Sequence, residues 1–149
     1  MTLLRTRMRR RGPERGQALA EMGFVIVLFV FLTMGVIEFG RTLMLLNMIT
    51  QAARDGARAG STSRLRDSND LLTNSSDIVN RVRTQMTNVM SSADASAFSI
   101  TVTQPACGTT NNIPVVQVTV SGTLDYLFAS FASLNVNRVA TFRDEGRGC

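Results

Sequence analysis

"RGQALAEMGFVIVLFVFLTMGVIEFGR", residues 15–41, is an apolar stretch with one acid, Glu21, near its start. No charged residue occurs from Met22 to Ile37, and extension of this run to Ala18 and Gly40 adds only Glu21 and Glu38. An α-helix rises ~1.5 Å per residue, so about 20 residues are enough to cross the ~30 Å hydrocarbon core of a bilayer. The stretch therefore predicts one membrane-spanning helix.

The positive charge of the chain is concentrated before this helix. All 16 basic residues are arginines, and the formal net charge is +5. Residues 1–16 contain six arginines and one acid, whereas residues 17–149 contain ten arginines and ten acids. Because arginines flanking a span are retained on the cytoplasmic side, we predict a cytoplasmic N-terminus and an outer domain after about residue 40. The basicity belongs to a short leader and not to a groove, so nucleic-acid binding is not predicted.

A cleaved secretory signal is the main alternative to a retained span. Its cleavage site should follow the apolar core closely and read A-x-A. The segment Ala57-Arg58-Ala59 lies about twenty residues beyond the core, and Ala18-Leu19-Ala20 precedes the core. A twin-arginine signal is not favoured either, since "RRRGPERGQ" lacks the usual residues after the arginine pair. We therefore predict that the span is retained as an anchor.

Glu21 is the unusual residue of the span. A charge at the centre of a bilayer costs ~2.5–3.5 kcal/mol on insertion scales. One interpretation is that Glu21 lies near the cytoplasmic interface and reaches back to water. A second interpretation starts from its position, because Gly16 stands where the basic leader meets the apolar helix and Glu21 is the fifth residue after it.

This junction resembles the leader of type IV pilin-like proteins. In those proteins a prepilin peptidase cuts after a glycine on the cytoplasmic side, and a glutamate is the fifth residue of the mature chain. The resemblance implies a cut between Gly16 and Gln17. The new α-amino group of Gln17 is opposite in charge to Glu21, and pairing between neighbouring subunits would favour one register of assembly.

A longer segment, residues 16–61, resembles the TadE-like proteins, which are minor pilins or pseudopilins of the Flp (tight adherence) pilus system. The shared elements are a Gly-x-Ala-x-x-Glu start, the Ile-Glu-Phe-Gly-Arg element at residues 37–41, and the Ala-Ala-Arg-Asp-Gly-Ala-Arg element at residues 52–58. Met22 stands where major Flp pilins have tyrosine, and the chain is longer than those pilins. Both features favour a minor component.

The resemblance implies a set of partners. They are the prepilin peptidase, the major Flp pilin and other minor pilins, the inner-membrane pilus assembly platform, and membrane lipid. Neither nucleic acid nor a cofactor is implied. The implied location is the inner membrane, crossed once with the N-terminus in the cytoplasm, with later incorporation into an extracellular pilus.

The helix is expected to continue beyond the membrane to about residue 60. Apolar or small residues recur at every third or fourth position and mark one face: Leu43, Leu46, Thr50, Ala53 and Ala57. A local ion pair is expected between Glu38 and Arg41, which are three residues apart.

Ala52, Gly56 and Gly60 form a line of small residues at a spacing of four, which lets another helix approach closely. One interpretation is a surface that packs against other pilins. The alternative is an ordinary helix that ends with Gly60 near its C-cap.

The remaining residues predict a small α+β domain, with domain boundaries at 1–16, 17–60, 61–76 and 77–149. Residues 61–76 are rich in Ser, Asn and Asp and predict an exposed linker. A second helix is predicted at about residues 77–93, with Ser75 or Ser76 as N-cap. Alternating residues predict an antiparallel sheet of about three strands, near 98–102, 116–120 and 136–143. Helical spacing predicts a short helix through Leu124, Leu127, Phe128, Phe131 and Leu134.

The core of this domain is thin, so support from the N-terminal helix or from a staple is expected. Cys107 and Cys149 are the candidate disulfide. In the chain-entropy model a bridge around this 43-residue segment contributes ~3–4 kcal/mol. A bridge between subunits and two free thiols are the alternatives. The chain has no histidine and no third cysteine, so no metal site is predicted.

The function predicted first is a minor pilin or pseudopilin, processed after Gly16 and acting in pilus assembly or adhesion. An enzyme is not predicted, since histidine, nucleophile elbow and phosphate loop are all missing from the sequence. The main alternative is an uncleaved single-span membrane protein whose outer domain binds a ligand or partner. A third option is a membrane-attached assembly chaperone that is cleaved but never incorporated.

Overall fold

The computed structural model describes residues 14–67, 72–105, 113–126 and 133–146. Its elements, in chain order, are α1 (Glu14–Ser61), α2 (Ser75–Thr87), α3 (Ser92–Ala97), β1 (Ser99–Thr103), β2 (Val115–Asp125) and β3 (Ser133–Arg143). The strands form one antiparallel sheet in the order β1-β2-β3. The predicted α+β class, with a long N-terminal helix and a three-stranded sheet, is confirmed.

The chain divides into two compact units, and the boundary lies inside α1, between Ile37 and Glu38. The first unit contains the apolar half of α1. The second contains the rest of α1 together with the other helices and the sheet. The sequence placed the boundary after residue 60, because an uninterrupted helix gives no local sign that its second half packs with the later elements of the chain.

The core of the second unit is built from all three layers of its secondary structure. Its buried members in α1, α2 and the sheet include Leu45, Ile49, Ala53, Ala57, Ile78, Val82, Met86, Val118, Val120 and Val136. Of the face that the sequence marks by its helical spacing, Ala53 and Ala57 are buried in this core, whereas Leu43 is 44% exposed. Leu45 and Ile49 are buried instead. Both rows have helical spacing, so only the packing decides between them.

The helix predicted at 77–93 consists of two helices. α2 begins at Ser75, where Asn74 is the N-cap residue, and it ends at Thr87. Ser91 then caps α3, because its hydroxyl accepts a hydrogen bond of 3.1 Å from the backbone N–H of Asp94. A serine that accepts from the third residue after it favours a new helix start over continuation of the previous helix.

The prediction of a short helix around residues 124–134 is wrong at both of its ends. Leu124 belongs to β2 and Leu134 to β3, and the two are paired across the sheet. Leu127, Phe128 and Phe131 lie outside the described residues. β2 continues past Val120 because Gly122 takes the next inward position, where a Cβ would lie 2.6 Å from Cδ1 of Phe98. The glycine leaves a gap in the apolar alternation and hides the length of the strand.

The described parts of the segment predicted as an exposed linker make hydrogen bonds and an ion pair with other parts of the second unit. Arg66 forms an isolated antiparallel bridge with Leu72. The Arg66 side chain, only 8% exposed, pairs with Asp144 at the end of β3. Ser63 also donates a hydrogen bond to the side-chain oxygen of Asn74 at 3.1 Å. The polar composition predicted exposure, but it is the distant carboxylate that brings Arg66 inward.

Candidate assembly and processing site

The predicted cleavage point lies in the first turn of α1. The helix begins at Glu14, so the bond between Gly16 and Gln17 is helical, whereas a peptidase requires an extended backbone. The first four N–H groups of a helix have no partner within the helix, and glycine weakens a helix by ~1 kcal/mol relative to alanine. Gly16 is exposed, and nothing lies within 4 Å of a Cβ built on it. This turn is therefore accessible and unwinds at low cost.

Glu21 lies one turn after Gln17 on the same side of α1. The Gln17 side-chain amide donates a hydrogen bond of 3.3 Å to Oε1 of Glu21. Both residues are exposed. An amide is a neutral donor, so this contact leaves the carboxylate charge uncompensated. The helix thus presents a negative charge close to the position at which a cut after Gly16 would create an α-amino group.

The apolar half of α1 is exposed on every side. Large apolar side chains from Leu19 to Phe39 project all round the helix, and Phe24, Phe29 and Phe31 are each at least 70% exposed. A helix that is apolar all round requires burial in a membrane or in a protein core. Among the described residues, one helix, α1, is both long enough and apolar enough to cross a membrane. None of its most apolar segment is buried within the chain. This helix indicates a single-pass membrane protein.

The local ion pair expected at the end of the apolar run is present. Nη1 of Arg41 lies 3.6 Å from Oε1 of Glu38, and the two side chains are 41% and 12% exposed. The Thr42 hydroxyl donates to the backbone carbonyl of Glu38 at 2.9 Å. The first charges after the apolar run are therefore compensated within one turn of the helix.

The line of small residues at Ala52, Gly56 and Gly60 is buried inside the second unit. A Cβ on Gly56 would collide with Cγ2 of Val82 in α2, and one on Gly60 would lie 2.8 Å from Cγ1 of Val116 in β2. The small side chains do permit a close approach, as expected. The elements that approach are α2 and β2 of this chain, so this line of small residues is already covered within the second unit.

The opposite side of α1 in the second unit is exposed and mostly polar. Its residues recur at helical spacing and are Met44, Asn47, Gln51, Arg54, Asp55 and Arg58. Sequence reasoning missed this surface because apolar and small residues were taken as the packing signal. The signal available in the sequence was the polar stripe that an amphipathic helix turns to solvent.

Cys107 and Cys149 lie outside the described residues, so the disulfide stays a prediction. Within the described ranges, no cluster of three or more metal-ligating side chains occurs.

Comparison with known protein families gives a match within α1. The family model described as TadE-like protein matches residues 16–58. The matched segment begins at Gly16 and includes Glu21, Glu38 and Arg41, so it covers the candidate site on α1. No curated protein and no solved structure matches the chain significantly. Residues 16–58 of α1 are thus TadE-like, that is, similar to a pilus-associated family of the Tad/Flp system.

Proposed function

We propose that this TadE-like chain is a minor pilin or pseudopilin of a Flp/Tad-type pilus and secretion apparatus. A prepilin peptidase cuts it after Gly16, and it then remains in the inner membrane, with a cytoplasmic N-terminus and an outer domain on the far side, until it joins a filament. The observation that carries the proposal is Glu21, an exposed carboxylate on a helix whose own surface is apolar on every side.

The energetic argument starts from the two environments of α1. Before assembly the apolar half of the helix requires lipid, and in a filament it would be covered by the helices of other pilins. Both surroundings are apolar, so the transfer changes the hydrophobic free energy of the helix little. A charged group on the helix then has a large effect on the free energy of assembly. In an apolar environment, the free energy of a charge that is paired with an opposite charge differs strongly from that of an unpaired charge.

Cleavage would supply the compensating charge. A cut after Gly16 removes a leader with a net charge of +5, which otherwise holds the N-terminus at the cytoplasmic face. The same cut creates an α-amino group on Gln17, whose side chain already contacts Glu21. The amine of one subunit and the Glu21 carboxylate of a neighbour attract strongly in a low-dielectric core, which favours one axial register.

The partners proposed for this role are the major Flp pilin, other minor pilins and the inner-membrane assembly platform. The polar outer stripe of α1, from Asn47 to Arg58, offers them an exposed surface beyond the membrane. Adhesion is the proposed use of the assembled filament.

Processing is tested by intact mass and N-terminal residue of the membrane-extracted protein, with and without an active prepilin peptidase. We expect a chain that begins at Gln17 only when the peptidase is active. Gly16→Val should block the cut because a β-branched side chain crowds the scissile bond, whereas the matched variant Gly23→Val should be cut normally. At both glycines nothing lies within 4 Å of the position that a Cβ would take, so neither change disturbs packing.

Assembly is tested in the same cells with Glu21→Gln, which keeps the side-chain shape and removes the charge. We expect normal processing and membrane insertion but about a tenfold lower ratio of sheared filament protein to membrane protein, equivalent to ~1.4 kcal/mol of lost pairing. Glu38→Gln is the matched control at the other end of the span.

A chain that still begins at Met1 when the peptidase is present and active would contradict the pilin class and favour an uncleaved single-span binding protein. Wild-type filament levels for Glu21→Gln would contradict the pairing role alone.

A further inference from the structure

A cavity of about 330 Å³ opens in the second unit where α1, α3 and the end of β2 meet. Its floor is apolar and consists of buried side chains, Leu45, Met90 and Leu124, each at most 9% exposed. Its rim is charged and exposed, with Arg41 on α1, Asp94 on α3 and Asp125 at the end of β2. Among the described residues, the cavity therefore combines an apolar base with one cation and two carboxylates.

The position of the cavity along α1 is set by Arg41 and Leu45. Arg41 comes directly after Gly40, the last residue of the apolar run. At ~1.5 Å per residue, Leu45 lies only ~6 Å further along the helix. If α1 spans the hydrocarbon core up to Gly40, the two α1 residues that line the cavity therefore follow within about one turn of the end of the span.

Each rim group has a distinct chemical preference. A guanidinium binds phosphate oxygens through paired N–H donors. Arg41 contacts Glu38 at 3.6 Å and is still 41% exposed, so part of its donor fork faces the surroundings. Carboxylates accept hydrogen bonds from a primary ammonium, which has three donors, whereas a quaternary ammonium has none.

The carboxylate of Asp94 is held in place by the cap of α3. The Ser91 hydroxyl donates to Oδ2 of Asp94 at 2.8 Å, and the backbone N–H of Asp94 donates back to that hydroxyl at 3.1 Å. A preoriented acid costs less side-chain entropy on binding than a mobile one. Two acids on the rim also disfavour head groups with a net negative charge.

We propose that this cavity binds the head group of a zwitterionic phospholipid with a primary amine, such as phosphatidylethanolamine. The phosphate is placed at Arg41 and the ammonium at Asp94 and Asp125, with the glycerol end over the apolar floor. Binding there would hold the outer domain at the membrane surface before assembly. The proposal requires only a membrane-spanning α1, so it stands apart from the pilus role and from cleavage.

The test uses the full chain in detergent and native mass spectrometry, with three lipids of equal acyl chains added in turn. Phosphatidylethanolamine should bind about three- to tenfold more tightly than phosphatidylcholine, as expected for one or two charge-assisted hydrogen bonds, and phosphatidylglycerol should bind least. Glycerophosphoethanolamine, the same head group without chains, should bind at least about tenfold more weakly than the lipid, since it cannot use the apolar surface. Equal binding of the three lipids, or equal binding with and without chains, would overturn the proposal.

Variants locate the site. Asp94→Asn with Asp125→Asn should reduce the preference for phosphatidylethanolamine over phosphatidylcholine to within about twofold, and the amide at 94 keeps an oxygen for the α3 cap. Arg41→Gln should weaken all three lipids together, because it removes the phosphate contact. Asp55→Asn, an exposed acid on α1 outside this cavity, should change nothing. A preference that survives in the double variant, with far-UV circular dichroism unchanged, would overturn the assignment to this cavity.

Discussion

At the scale of single residues, Asp144 holds together three separated parts of the second unit. Its carboxylate pairs with both terminal nitrogens of Arg66 and also accepts hydrogen bonds from the Gln104 side chain at 2.8 Å and the Gly146 backbone at 3.2 Å. Gln104 in turn accepts from the Leu72 backbone at 2.7 Å. Asp144 is 1% exposed, and this number of donors is what allows a carboxylate to be buried.

Asp144→Ala should lower the free energy of unfolding of the second unit by about 3–5 kcal/mol, because it removes a buried carboxylate that pairs with both terminal nitrogens of Arg66. Urea unfolding of the full chain in detergent, followed by circular dichroism, measures the effect. Glu145→Ala is the matched control, since its side chain is exposed and its loss should cost less than about 0.5 kcal/mol. Equal losses in the two variants would show that the buried pair contributes no net stability.

At the scale of elements, the packing of α2 on α1 depends on the absence of a side chain at Gly56. Val82 occupies the space that a Cβ would need, and it is fully buried. A valine in a helix has essentially one χ1 rotamer, so it cannot turn away. The alternative is a shift of α2, which also disturbs its contacts with the sheet.

Gly56→Ala should therefore destabilise the second unit by about 1–3 kcal/mol, although alanine favours a helix more than glycine does. The same unfolding measurement checks it. Gly40→Ala, on the same helix with nothing within 4 Å of the added carbon, should leave stability unchanged or raise it by up to ~1 kcal/mol. An unchanged or stabilised Gly56→Ala protein would mean that α2 does not pack as closely as described.

At the scale of the whole molecule, α1 contributes to both compact units of the chain. Up to Ile37 it is exposed and mostly apolar, and from Leu45 onward one of its faces belongs to the core of the second unit. The thin core inferred from the sequence does receive the expected support from this helix. Removal of α1 would expose the apolar sides of α2 and of the sheet together.

A chain that begins at Glu38 should consequently fold on its own, whereas one that begins at Ser61 should not. Cooperative thermal unfolding by far-UV circular dichroism distinguishes them, with a single transition expected for the first and none for the second. The longer chain keeps Leu45, Ile49 and Ala53, which cover α2 and the sheet. A cooperative transition in the shorter chain would show that α1 is dispensable for the fold of the rest of the second unit.

The three scales differ in how much the sequence predicts. At the residue scale the Glu38–Arg41 pair follows from a spacing of three, but the Arg66–Asp144 pair does not, because 78 residues separate its members. At the element scale the strands are predicted at their centres. Their length is missed at Gly122, where an aromatic ring from a distant residue, Phe98, takes the place of a side chain.

The sequence by itself determined the membrane-spanning helix, the position of Glu21 within it, the TadE-like character of residues 16–58 and the α+β class. These features depend on hydropathy and on spacings of two to five residues, which are properties of a contiguous chain. Only the tertiary structure decided which face of α1 turns inward, which small residues are already covered, and that Arg41, Asp94 and Asp125 line one cavity. These depend on contacts between residues far apart in the chain, whose free energies arise only when the elements pack.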